Sequence, residues 1–192
     1  MRKFGWILLL TLVAAMPAGA DEMGLTPRET YERMQQNGDK ILFLDVRDPV
    51  EIMFVGFTDT VDANIPFLII DRTRWDAQKN RYQPYRNPNF ATEVEGALKA
   101  RGLTRDAEVI TMCRSGNERG RPSAQFLREN GFPNAMYVIN GFQGDRIKEG
   151  ERAGFRLKNG WQNRGLPWSP KMNPEKMYRF DDTAEAGTTQ GG

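Results

Sequence analysis

The residues with chemistry to offer are gathered in Cys113-Arg114-Ser115-Gly116-Asn117-Glu118-Arg119, around the chain's one cysteine. Val109-Ile110-Thr111-Met112 leads into the thiol as a buried strand. Pro122-Ser123-Ala124-Gln125-Phe126-Leu127, up to Gly131, reads as a helix behind it, because proline suits a first helical turn and glycine a stop. Strand, loop and helix in that order place a thiol where backbone N–H groups of a tight turn converge on a helix start, a site that favours anions. Arg114 and Arg119 add full positive charges. A thiolate is the nucleophilic form of cysteine, so covalent chemistry at Cys113 is expected, with the residues from Arg114 to Arg119 holding an anionic substrate. The alternative, a lone cysteine packed as a small hydrophobe, fits poorly with Gly116, Gly120 and the polar residues that follow Cys113.

The elements that must position this loop alternate helix and strand. Thr26-Pro27-Arg28-Glu29 is a capping box opening a helix to about Gln36, with Gly38 as its stop. Ile41 to Val46 is nearly all apolar, as a parallel strand covered on both faces would be. Asp45 and Arg47 end it, on the side where open α/β sheets place their ligands, and their ion pair is expected to join this strand end to the Cys113 loop. Pro49 to Val55 reads as a short helix, Thr60 to Ala63 as a strand, Phe90 to Arg101 as a helix, Glu108 to Met112 as the strand before the cysteine, and Met136 to Ile139 as another strand. Asp145 to Asn159 suggests a surface helix and a loop, and Trp161, Leu166 and Trp168 are expected to close the core. The alternation predicts an α/β domain, a parallel sheet with helices on both faces.

These motifs resemble the rhodanese-like family. Cys113-Arg114-Ser115-Gly116-Asn117 is similar to its sulfurtransferase loop, and Leu44-Asp45-Val46-Arg47-Asp48-Pro49-Val50-Glu51 to its first signature. Ala63-Asn64-Ile65-Pro66, Tyr137-Val138-Ile139-Asn140-Gly141-Phe142, Gly160-Trp161 and Gly165-Leu166-Pro167 resemble later landmarks, so the resemblance runs from about Thr26 to Trp168. It implies a sulfurtransferase that moves sulfane sulfur from a donor such as thiosulfate to cyanide or a thiol through a Cys113 persulfide, with no cofactor. A protein sulfur donor or acceptor would also fit. One departure opens an alternative. Five residues separate Cys113 from Arg119, where the usual sulfurtransferase loop has four. Five is the spacing of the related cell-cycle dual-specificity phosphatases and some arsenate reductases, in which Arg119 would grip a tetrahedral oxyanion and Glu118 could serve as acid. Those phosphatases usually carry histidine where this chain has Met112. A third possibility is a non-catalytic sulfur carrier using the same persulfide.

Composition narrows the field. There is no histidine, which excludes a Ser-His-Asp triad, a Cys-His pair and ordinary histidine metal sites; no metal site is expected. Residues 1–20 read as a signal peptide: Arg2 and Lys3 are basic, Phe4 to Ala15 is apolar, and Pro17-Ala18-Gly19-Ala20 fits a cleavage site. The apolar run is shorter than the roughly 20 residues a membrane span needs, so an exported, periplasmic protein without a stable membrane anchor is expected. Of 27 Lys+Arg and 25 Asp+Glu, the segment takes two cations and leaves the balance neutral, against nucleic-acid binding. Residues 21–168 would form a single domain. Within it, 71–89 is basic and aromatic without clear periodicity and reads as an inserted loop, a lid or docking surface at most. From Ser169 to Gly192 the pattern is lost, and the tail reads as disordered at its end.

Overall fold

The computed structural model describes residues 21–179. The expected signal peptide and the last residues of the tail lie outside that range. Five strands form a parallel sheet: β1 (Gly24–Leu25), β2 (Ile41–Asp45), β3 (Ala63–Asn64), β6 (Glu108–Met112) and β7 (Ala135–Val138). Their spatial order is β1-β7-β6-β2-β3, with every neighbouring pair parallel. The helices are α1 (Pro27–Asn37), α2 (Pro49–Val55), α3 (Phe90–Ala100) and α4 (Gly120–Glu129).

Period-two alternation along the central strands sorts the core into two halves. Leu42, Leu44 and Val109 face the half built with Phe90, Val94 and Leu98 of α3 and Ala124 and Leu127 of α4. Ile41, Phe43 and Ile110 face the other, with Ile52 of α2, Phe142 and Trp161, and with Tyr31 and Met34 of α1 at its margin. Both faces of β2 and β6 are therefore covered, which is why these strands read as apolar runs. α1 begins as the sequence dictates: the Glu29 N–H donates to Thr26 Oγ1 at 3.2 Å and the Thr26 N–H to Glu29 Oε2 at 2.8 Å, closing the capping box.

Three expectations need correction. The stretch 71–89 is not a loop: β4 (Leu68–Asp76) and β5 (Arg81–Arg86) pair antiparallel as a hairpin. Its register shifts between Asp71 and Trp75, so no single period runs along it. Residues 145–159 contain no helix and are held as turns: the Ile147 N–H donates to the Phe155 carbonyl, and the Gly154 N–H to that of Ile147. Trp168 does not close the core; it is exposed and meets Phe142 edge-on at 6.3 Å. The start of the tail is tied to the domain, where Phe57 and Ser169 exchange backbone hydrogen bonds at 2.8 Å and the Asn64 N–H donates to the Lys176 carbonyl at 2.7 Å; the end expected to be disordered lies outside the described residues.

Candidate functional site

The Cys113 loop lies at the C-terminal ends of β6 and β2, where the Val46 N–H donates to the Met112 carbonyl at 2.9 Å. α4 starts directly behind it, two residues earlier than its proline suggests. A methyl group on Gly120 would sit 3.5 Å from Cys113 Sγ, so the sulfur abuts the positive end of the helix. The Gly116 N–H donates to Sγ at 3.2 Å. The thiol itself is 0% exposed.

Two glycines make this closeness possible. Gly116 has φ +85°, and a Cβ there would come within 2.9 Å of the Val138 carbonyl oxygen. Gly141, at φ +54°, lies where the chain leaving β7 crosses the loop, and a Cβ would collide with the Cys113 carbonyl oxygen. That carbonyl accepts the Phe142 N–H at 2.7 Å, and the Arg114 carbonyl accepts those of Gln143 and Gly144. From below, Thr111 Oγ1 and Ser123 Oγ both donate to the Gly120 carbonyl. The loop is tied down at both ends before any ligand arrives.

The sequence-selected residues separate into groups. Arg114 is half-buried, and its Nε donates to the neutral amide oxygen of Gln143 at 2.7 Å. Ser115 is half-buried and Gly116 buried, while Asn117 and Glu118 face solvent. Glu118 lies 3.6 Å from Arg81 of the hairpin, turned out of the loop. Arg119 is buried and forms a two-pronged ion pair with Glu51 of α2: Nη1 to Oε2 at 2.6 Å, Nη2 to Oε1 at 3.2 Å. Asp45 and Arg47 are both wholly buried and paired with each other at 2.5 Å. Arg47 Nη2 also donates to the Gly56 carbonyl, and its guanidinium stacks 4.3 Å from the Phe142 ring. This pair meets the Cys113 loop through Phe142 and the backbone of Val46, and its charges act on Glu51 and Arg119.

Electrostatics follow from these contacts. Burial pushes the Glu51 carboxyl up, but Arg119, helped by Arg47 and Arg114, outweighs it and leaves the group below the usual glutamate value. Burial likewise works against Arg119, yet Glu51, with Cys113 and Asp45 beyond, holds its proton more firmly than in an ordinary arginine. Arg156 was not selected by its sequence position. Burial and then the charges of Arg114 and Arg146 push its pKa down, and its Nη1 donates to the Gly144 carbonyl, next to the Gln143 that Arg114 contacts. Glu51 stood within a recognised motif, but nothing in its spacing points to Arg119, 68 residues away. Among the described residues no cluster of acids and cysteine could hold a metal ion, and no helix is long and apolar enough to cross a membrane.

The parallel sheet, the loop at its carboxyl edge and the glycine crossing define a class of domain. Residues 26–146 match the rhodanese-like domain, and the chain belongs to that family. The adenylyltransferase and sulfurtransferase MOCS3-2 of Zea mays is 28% identical over 119 residues, covering 62% of this chain and 20% of that protein. The chain thus spans about a fifth of that relative's length. Among solved structures, Rv0390 of M. tuberculosis is similar with a TM-score of 0.56 and 28% identity over 77% of this chain and 97% of its own. A rhodanese-related protein of Thermoplasma volcanium has a TM-score of 0.43 and 22% identity over 77% and 98% of the two chains.

Proposed function

We propose that the protein is a sulfurtransferase working through a persulfide on Cys113. The observation that carries this reading is the environment of the sulfur. A backbone N–H donates to it and a helix starts behind it, while the arginine an oxyanion would need is already bound to a carboxylate. The Cys113 thiolate attacks the outer sulfur of thiosulfate; a new S–S bond forms at Sγ, the donor's S–S bond breaks, and sulfite leaves with the electron pair. The loop amides then hold the terminal sulfur of the anionic persulfide, and Arg114, whose Nε is held by the Gln143 amide oxygen, orients the donor's sulfonate with its terminal nitrogens. Attack by cyanide or a thiolate on the outer sulfur returns the Cys113 thiolate. No histidine or other base is needed for a thiol that reacts as its anion. Asp45 and Arg47 support the strand end and take no part in the chemistry.

The test is intact mass after incubation with thiosulfate. One added sulfur atom on the wild type, removed by cyanide and absent from Cys113→Ser, is the expected result; an unchanged wild-type mass overturns the reading. Steady thiocyanate production then distinguishes an enzyme from a carrier, which would load sulfur without turning it over. Export to the periplasm is part of the same proposal, resting on the basic start, short apolar run and small-residue site before Asp21. N-terminal sequencing of periplasmic material should begin at Asp21, and a soluble cytoplasmic protein retaining Met1 would refute it.

A further inference from the structure

The loop has the length of an oxyanion-gripping loop, yet its gripping arginine is occupied. Arg119 presents two terminal N–H edges, the fork that matches phosphate, arsenate or carboxylate equally well. Here the two terminal nitrogens are taken by the Glu51 carboxylate at 2.6 and 3.2 Å, and the buried Nε–H is left without a hydrogen-bond partner among the described residues. Glu51 is an internal oxyanion, delivered at high effective concentration by a fixed helix. We infer that Glu51 is a specificity-determining residue: a built-in competitor that keeps tetrahedral oxyanions off Arg119.

The helix that carries Glu51 is well fixed. Asp48 caps α2 by accepting the Val50 N–H at 2.9 Å on one carboxylate oxygen, and accepts the Ile70 N–H of β4 at 3.0 Å on the other. Ile52 is wholly buried, and the Arg47 guanidinium holds the Gly56 carbonyl just past the helix end. Glu51 therefore swings away from Arg119 only by its own side-chain torsions. A phosphate that displaced it would place a dianion beside a carboxylate held ionised by its surroundings, a like-charge contact of the kind that gives discrimination. Sulfur at Cys113 escapes this competition, because the group donating to Sγ is the Gly116 N–H and not Arg119.

The experiment measures protection of Cys113 from iodoacetamide by inorganic phosphate and by arsenate, in the full chain and without any sulfur donor. The wild type is expected to be unprotected at millimolar anion. Glu51→Gln keeps the shape and removes the charge; it should gain protection, with an apparent affinity roughly tenfold or more above wild type, and should lose it again in Glu51→Gln/Arg119→Met. Protection of the wild type equal to that of Glu51→Gln, or a folded Glu51→Gln that gains none, overturns the inference. If Glu51→Gln does not fold, the wild type decides: phosphate protection that vanishes in Arg119→Met overturns it, and its absence supports it. Persulfide formation is read separately by mass, so failure here leaves the sulfur-transfer proposal standing, and the reverse.

Discussion

Two acid–arginine pairs stand at the carboxyl edge of this sheet and differ in kind. Asp45 and Arg47 are two residues apart on one strand end, wholly buried, with the guanidinium also bonded to the Gly56 carbonyl and stacked on the Phe142 ring. Glu51 and Arg119 come from different elements, and their side chains keep 21% and 11% exposure. Removing one partner of a wholly buried pair strands a charge where water cannot reach it; removing one partner of a pair that keeps some exposure lets water reach part of the charge left behind. The first pair is thus a fastener and the second a contact that water partly reaches, although the chemical groups are nearly the same.

Arg47→Met should produce the largest effect, leaving the Asp45 carboxylate buried and unpaired at a cost of about 3–5 kcal/mol, measured by urea unfolding. Glu51→Gln should cost less, about 1–2 kcal/mol, while changing anion binding; equal losses for the two variants would erase the distinction. The pairing of Glu51 also has a pH signature. Its folded carboxyl titrates below the reference value of 4.5, so its contribution is fully present above that value and is lost as pH falls through the lower folded value. The stability gap between wild type and Glu51→Gln should therefore close on acidification, and a gap that widens toward low pH would contradict the assignment. Smallest of all, Tyr82→Ala removes an exposed edge-to-face contact with Trp75 at 5.3 Å on the hairpin and should cost about 0.5–1 kcal/mol. That sets the scale for a contact outside both pairs.

Much of this architecture was legible because it is written in short-range patterns. The capping box at Thr26, the apolar run Ile41 to Val46 and the strand before Cys113 each specify their element from neighbouring residues. The Asp45–Arg47 pair could be read for the same reason, since a single residue, Val46, separates its members. Pairing at a distance could not. Glu51 meets Arg119 through the packing of α2 against the loop, and the hairpin hid its period behind a register shift between Asp71 and Trp75. In the segment from 145 to 159, Ile147, Phe155 and Leu157 suggested a helical face, but Gly150 and Gly154, with φ near +82° and +90°, turn the chain back on itself. Lys176 likewise anchors the tail through its backbone and through an ammonium that donates to the Asp59 and Val61 carbonyls, contacts that no composition announces.

The outer strands of the main sheet, β1 and β3, are each only two residues long. An unpaired strand edge is a template for recruiting another chain, and the C-terminal segment closes the β3 side by offering the Lys176 carbonyl to the Asn64 N–H. The longest described strand, β4, belongs to the separate hairpin, where Asp71, Arg72, Arg74 and Asp76 on β4 and Arg81 and Arg86 on β5 put charged residues along the ribbon. Copies of the protein brought together at high concentration find short edges on the main sheet and a ribbon studded with charges on the hairpin, both features that disfavour strand addition.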